Sequence, residues 1–255
     1  MSLLQINGLT HNFGGLRAVD DFNLELGENE LVGLIGPNGA GKTTIFNLVC
    51  GLYRPTTGTI TFNGNNLIGR RPHQITSLGI GRTFQNIRLW NELSVLDNVR
   101  IAHFSQISYG IVDSLFNTKR MRQEEHSLTG EAMELLGLFN LQSYARELAK
   151  NLPYGIQRRV EITRALVMKP RLILLDEPAA GMNQGEITDL MDLVRWIREK
   201  FKVTIWIIEH QMRVIMGICE RIKVLDFGQT IAEGIPEDIR NNPRVIEAYL
   251  GQEVV

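Results

Sequence analysis

The sequence predicts an α/β fold with a mainly parallel sheet, a β-rich antiparallel N-terminal part and an inserted helical segment. Three observations predict it. Short apolar runs alternate with helix-length segments through the second half of the chain. One nearly all-apolar run, Leu31-Val32-Gly33-Leu34-Ile35, passes through a glycine-rich turn into a segment free of Gly and Pro. From about Ser94 to Lys150 the texture changes to charged, glycine-poor sequence with apolar residues at helical spacing, such as Met133, Leu136 and Leu138.

Taken in order, Leu3–Ile6, Phe22–Leu26 and Leu31–Ile35 read as strands separated by Gly, Asn and charged turns. Lys42–Val49 reads as a helix, Thr57–Gly64 as a hairpin-like segment and Ile80–Gln85 as one more short strand. After the helical segment come a helix over Ile156–Met168, a strand over Leu172–Leu175 and a helix over Glu186–Lys200. A strand over Val203–Ile208, a last strand over Ile222–Leu225 and a helical tail over Pro236–Leu250 complete the chain. The expected division is one domain over residues 1–255. Within it lie a β-rich part (1–85), a helical subdomain with an insertion (86–155), the second half of the core (156–235) and a tail (236–255).

Twenty-seven Lys plus Arg against 28 Asp plus Glu give a net charge of −1, and 44% of residues are hydrophobic. That composition excludes a disordered chain and argues against a strongly basic nucleic-acid binder. Cys50 and Cys219 stand far apart and outside any CxxC pair, so neither a disulfide framework nor a zinc cluster is expected, and a reducing compartment is. No run approaches the roughly 20 apolar residues that span a bilayer, and the opening residues do not read as a leader. Any membrane association is therefore expected to be peripheral.

Gly36-Pro37-Asn38-Gly39-Ala40-Gly41-Lys42-Thr43 matches GxxxxGK[ST] in full, between a strand and a helix as that pattern requires. The glycines let the backbone turn so that successive N–H groups point inward onto phosphate oxygens, and the helix adds its positive end. Lys42 is expected to reach the outer phosphates and the Thr43 hydroxyl to hold Mg²⁺. These residues predict a P-loop NTPase core that binds ATP and Mg²⁺. The apolar run Leu172–Leu175 ends in Asp176 and Glu177, which makes Asp176 the candidate metal partner and Glu177 the candidate general base for an attacking water.

With these motifs in place, the chain resembles the nucleotide-binding subunits of ATP-binding cassette (ABC) transporters over essentially its whole length. The resemblance implies roles for further residues. Gln85 is similar to the glutamine that joins the catalytic core to the helical subdomain and contacts magnesium and the lytic water. His210 is similar to the switch histidine at the γ-phosphate, and Phe13 to the aromatic that stacks on adenine. Thr44, next to Thr43, falls among the nucleotide-binding positions. The family signature L-S-G-G-Q appears in altered form as Leu152-Pro153-Tyr154-Gly155-Ile156-Gln157, followed by a family-like Arg158–Leu166. In the family, this segment of one subunit points a helix N-terminus at the γ-phosphate held by its partner. Pro153 removes both the serine hydroxyl and an N–H donor, which implies a composite site that closes less tightly. Ala180-Gly181-Met182-Asn183 stands where many members have S-A-L-D, so Asn183 keeps hydrogen bonding without the charge.

These departures, the extended segment Ser105–Glu125 and the tail Asn242–Gly251 resemble one branch, the larger ATPase subunit of branched-chain amino acid importers. That resemblance implies ATP hydrolysis coupled to transport, at the cytoplasmic face of a membrane. It also implies two permease partners, reached through Gln85 and the segment Arg88–Val95 with Trp90 on its surface. A paralogous ATPase or a second copy of the chain is expected across the nucleotide, with a periplasmic or extracellular substrate-binding protein acting indirectly and no nucleic-acid partner. Amide, urea or lipopolysaccharide transport is the alternative within the family. A soluble ABC ATPase acting on ribosomes or DNA is the alternative outside transport, although a single cassette without sustained heptads does not suit it. A P-loop kinase leaves Gly155–Arg159 and His210 unexplained.

Overall fold

The computed structural model describes residues 2–103, 107 and 109–250. Ser105, Gln106 and Ser108 of the expected insertion, and Gly251 of the expected tail, lie outside the described residues. The chain divides into two units, residues 1–85 with 171–255, and residues 86–170.

The first unit opens with a hairpin longer than its sequence suggests, β1 (Leu4–Phe13) against β2 (Leu16–Leu26). The alternation that would announce these strands is broken by register shifts between Ile6 and Leu9, beside Gly8 at φ +56° and Asp21 at φ +49°. Bulges of this kind reset which side chains face the core. With β4 (Thr57–Phe62) and β5 (Asn65–Asn66) they form an antiparallel sheet in the order β2-β1-β4-β5. The second sheet takes β3 (Leu31–Ile35), β6 (Ile80–Arg82), β7 (Leu172–Asp176), β8 (Thr204–Ile208), β9 (Arg221–Asp226) and β10 (Gln229–Gly234). Its order is β10-β9-β3-β8-β7-β6, parallel throughout except for the β9–β10 hairpin.

Strands β3, β7 and β8 are buried at every position, as their near-continuous apolar sequences, polar only at Asp176 and Thr204, require. Trp206 of β8 is fully buried, stacked on Phe22 at 6.3 Å and edge-on to Phe46 at 4.9 Å, which fastens the two sheets and the helix α1 (Lys42–Val49) around one ring. Removing an aromatic ring from such a core typically costs about 3–5 kcal/mol. The unit also holds α2 (Pro72–Ser77), α7 (Gln184–Phe201), α8 (Met212–Ile218), α9 (Pro236–Arg240) and α10 (Pro243–Leu250).

The second unit is helical, with α3 (Val95–Ala102), α4 (Ile111–Phe116), α5 (Lys119–Leu138) and α6 (Tyr154–Leu166). The expected apolar stripe of α5 is displaced: Ala132, Leu135, Leu136 and, just beyond, Phe139 are buried, while Leu138 is exposed. Those four positions follow the helical period, and Leu138 falls off it. Helix α6 begins earlier than expected because Pro153, at φ −54°, serves as its N-cap, and it ends earlier because Lys169 turns left-handed just beyond it. Strand β6 likewise stops at Arg82, so Gln85 lies beyond the strand rather than at its end. Among the described residues no helix is long and apolar enough to cross a membrane.

Candidate functional site

Strand order decides which residues meet. Because β3, β8, β7 and β6 lie side by side and run parallel, the residues that follow their C-terminal ends share one edge of the sheet. Those residues are the glycine-rich turn after β3, Glu209 and His210 after β8, Glu177 after Asp176 at the end of β7, and Gln85 beyond β6. Ligands of open parallel sheets bind at this edge.

The turn after β3 is built by close backbone approaches. A Cβ on Gly36 would lie 2.1 Å from the Leu225 carbonyl oxygen, and one on Gly41 would lie 2.4 Å from that of Ala18. Gly36, Gly39 and Gly41 have φ of +151°, +80° and +101°, the region that favours glycine. The Ala40 N–H bonds back to Pro37, and Asn38 and Gly39 form the exposed lip. Gly41 caps α1 without a side-chain bond, and the first helical bond runs from Ile45 N–H to Gly41. The N–H groups of Lys42, Thr43 and Thr44 therefore precede the intrahelical ladder and face outward. Lys42 is buried, with Nζ donating to the carbonyls of Gly36 at 2.7 Å and Pro37 at 2.9 Å. Burial holds its ammonium below the ordinary lysine range, while the Glu177 and Asp176 carboxylates pull the other way.

Asp176 is buried, and its Oδ2 accepts Arg82 Nη2 at 2.9 Å. Arg82 was not singled out by sequence; it also donates to Asn47 of α1 at 2.7 Å and lies over the Phe84 ring at 4.9 Å. Glu177 has left-handed backbone, φ +46°, and its N–H bonds to Ile208 at 2.9 Å. Its Oε2 accepts the Gln85 amide at 2.7 Å and lies 3.6 Å from His210 Nδ1. Non-glycine residues held at positive φ cost free energy, and they cluster where a side chain must be aimed. Lys42, Asp176, Glu177, Gln85 and His210 are thus brought together.

Phe13 and Asn183 stand outside that cluster. Phe13 is half-exposed on the β1–β2 hairpin, edge-on to His11 at 4.5 Å and to Tyr53 at 5.3 Å. The Asn183 side chain caps α7, accepting the N–H groups of Gly185 at 2.9 Å and Glu186 at 3.1 Å. In the helical unit, Pro153 and Tyr154 are exposed at the start of α6, with Gly155, Ile156 and Gln157 half-buried in its first turn. Gln157 folds back onto the Leu152 carbonyl at 2.9 Å, and the Tyr154 hydroxyl accepts Arg158 Nη2 at 3.2 Å. Beneath them a buried ion pair, Arg158 to Glu161 at 2.7 Å, supports the turn. Glu161 accepts the Arg88 N–H, Arg164 donates to the Arg88 carbonyl, and the Arg164 guanidinium lies over the Trp90 ring at 5.2 Å.

The turn fits a polyphosphate: Gly36 and Gly41 leave no room for a side chain, the helix behind them opens on N–H groups that precede its own ladder, and one ammonium lies at the loop carbonyls. A magnesium ion fits only in company. Among the described residues no three His, Cys, Asp or Glu side chains converge on a metal site. One carboxylate, Asp176, and the exposed Thr43 hydroxyl suit an ion that takes its remaining oxygens from phosphates and water.

The family described as "ABC transporter" matches residues 19–180, and one described as "Branched-chain amino acid ATP-binding cassette transporter" matches residues 229–255. The chain is 46% identical over 250 residues to the high-affinity branched-chain amino acid transport ATP-binding protein LivG of Escherichia coli (strain K12), covering 98% of each chain. It is 43% identical over 250 residues to BraF of Pseudomonas aeruginosa, a protein of the same description, again over 98% of each. Among solved structures, the ADP conformation of an ATP-binding cassette of an ABC transporter superposes with a TM-score of 0.85 at 29% identity, covering 98% of this chain and 99% of that one. The chain belongs to the ABC transporter family, as one of its ATP-binding cassettes.

Proposed function

We propose that the chain is the ATP-hydrolysing subunit of an importer of branched-chain amino acids, peripheral at the cytoplasmic face of the membrane. It works on two permease subunits and pairs across ATP with a paralogous ATPase. The cargo is supported by the match over residues 229–255 and by the identity to LivG and BraF. The observation that carries the hydrolytic reading is the convergence on Glu177 of the Gln85 amide, at 2.7 Å, and His210 Nδ1, at 3.6 Å, beside Lys42.

In this reading the backbone from Gly36 to Thr44 cradles the phosphates of ATP and Lys42 exchanges its loop carbonyls for phosphate oxygens. Magnesium, when held by Thr43 and Asp176 with Gln85 alongside, neutralises phosphate charge. Glu177 takes the proton of the water that attacks the γ-phosphorus, Gln85 orients that water, and His210 donates to the γ-phosphate; ADP and inorganic phosphate leave. Phe13 stacks on adenine, and the N-terminus of a partner's signature helix, Pro153 to Gln157 in this chain, closes over the phosphate.

Glu177→Gln tests both parts, since it keeps the volume and removes the base. Turnover should fall by roughly a hundredfold or more, with ATP still bound. The tagged variant, solubilised from membranes with ATP, should bring down two very hydrophobic permeases and a second, shorter ATPase. Normal turnover would remove Glu177 from the chemistry. Recovery of ribosomal or DNA-repair proteins, with nothing from the membrane, would overturn the importer.

A further inference from the structure

Glu209 takes no part in the scheme above, yet it is fully buried at the catalytic edge of the sheet. Its Oε1 accepts the Ala179 N–H at 2.6 Å. Its Oε2 accepts the N–H groups of His210 at 3.2 Å and Gln211 at 3.4 Å. A return bond runs from Gln211 Nε2 to the Ala179 carbonyl at 3.2 Å. One carboxylate and one amide therefore join two turns: the turn after Glu177, which leads through Asn183 into α7, and the segment that carries His210. The bond from Glu177 N–H to the Ile208 carbonyl, at 2.9 Å, closes the same ring from the strand side.

Packing alone does not call for an acid there. Burial pushes the Glu209 carboxyl above the ordinary range, and the groups that favour its ionised form are the Ala179, Gln211 and His210 N–H groups and the His210 side chain. An apolar residue of similar size would avoid that cost. What it could not do is accept bonds from both turns at once.

We infer that Glu209 is a positioning residue that couples His210 to the turn between Glu177 and α7, so that a shift of the histidine on the terminal phosphate is passed through Ala179 to Asn183 and that helix. The inference rests on the hydrolytic role given to His210 and Glu177 above.

Glu209→Gln is the direct test, because it keeps the shape and replaces one of the two accepting oxygens with an NH₂ set against its N–H donors, breaking one arm of the bridge. In the full chain, kcat per bound nucleotide should fall about tenfold or more while KM for ATP stays within about twofold, since the phosphate cradle is untouched. Gln211→Ala, which removes the return bond, should lower kcat several-fold in the same way. The double variant should be no worse than Glu209→Gln alone, within about twofold, as two parts of one bridge are not independent. Wild-type kcat in Glu209→Gln, or losses that multiply in the double variant, would overturn the coupling. Should Glu209→Gln fail to fold, Gln211→Ala decides by itself, and an unchanged kcat in it overturns the proposal. Glu177→Gln run alongside separates the two levels: turnover retained there removes the hydrolytic reading and the coupling with it, whereas a dead Glu177→Gln with a normal Glu209→Gln removes the coupling alone.

Discussion

Among the described helices of eight or more residues, two begin without a side-chain cap and without an acid in the first turn, α1 behind Gly41 and α6 behind Pro153. Helices α3, α5 and α7 begin with Ser94, Thr118 and Asn183, whose side chains accept the first N–H groups. A helix that satisfies its own first turn has little left for an external anion, so the two bare ends are the ones suited to phosphate. They are built differently. The α1 end is complete in itself, with glycine turns pressed against Leu225 and Ala18 and a buried ammonium in place. The α6 end has no cation on its exposed first turn, and its support comes from beneath, through the Arg158–Glu161 pair. The first reads as a site and the second as half of one.

The largest expected effect separates the two. Arg158→Ala would leave the Glu161 carboxylate buried without its partner, a change that typically costs about 3–5 kcal/mol. Denaturant unfolding should show that loss, while a fluorescent ATP analogue should bind the folded protein within about twofold of wild type. A matching fall in nucleotide affinity would break the comparison by making the two ends interdependent.

Lys42→Ala acts on the other end. A charge-assisted hydrogen bond to phosphate is worth about 1.5–3 kcal/mol, so nucleotide affinity should weaken roughly 10- to 100-fold. Stability should change by less than about 1 kcal/mol, because the lost bonds to Gly36 and Pro37 are offset by relief of a desolvated ammonium, the burial that already holds Lys42 below its ordinary range. Equilibrium titration and thermal melting check the two halves. Wild-type affinity would show that the α1 end holds phosphate by backbone alone.

The contrast also explains what the sequence made legible. The turn Gly36–Gly41 could be read directly because close backbone approaches leave no room for a side chain at positions 36 and 41 and a positive φ favours glycine at 39, leaving an imprint on residue type. Asp176 and Glu177 close an apolar run in a pattern that by itself suits a solvated strand end, and what singles them out in the sequence is the company of the glycine-rich turn. The parallel sheet was legible from the runs that became β3, β7 and β8, buried at every position. Strand β10 was not, since Gln-Thr-Ile-Ala-Glu-Gly has one strongly apolar residue and sits at the sheet edge. Nor was α8, whose seven residues are too short a window to tell a helix from a strand. Arg82 and Glu209 carry no role in the sequence reading, and Arg158 enters it only as part of the family-like run Arg158–Leu166, for a common reason. A buried charge is spelled like a surface one, and only its partners in space, Asp176, the Ala179 N–H and Glu161, set it apart.

The smallest expected effect bears on how far the α6 end falls short. Pro153→Ser restores a hydroxyl and an N–H at the N-cap, and the hydroxyl has two uses. It can accept from the first turn of α6, as Asn183 does for α7, which should stabilise the helical unit by about 0.5–1 kcal/mol. Alternatively, it can donate to a phosphate held by the partner subunit. Neither use weakens the composite site, because the N–H groups of Gly155 and its neighbours remain. ATP hydrolysis by the reconstituted pair should therefore rise by up to a few-fold or stay level, with KM falling if the hydroxyl meets phosphate and constant if it caps the helix. A large fall in turnover would mean that proline at position 153 is itself needed, fixing φ near −54° so that the exposed Tyr154 and the half-buried Gly155 present their amides at one angle. In that case the bare α6 end would be as finished as the α1 end, with rigidity in place of a hydroxyl.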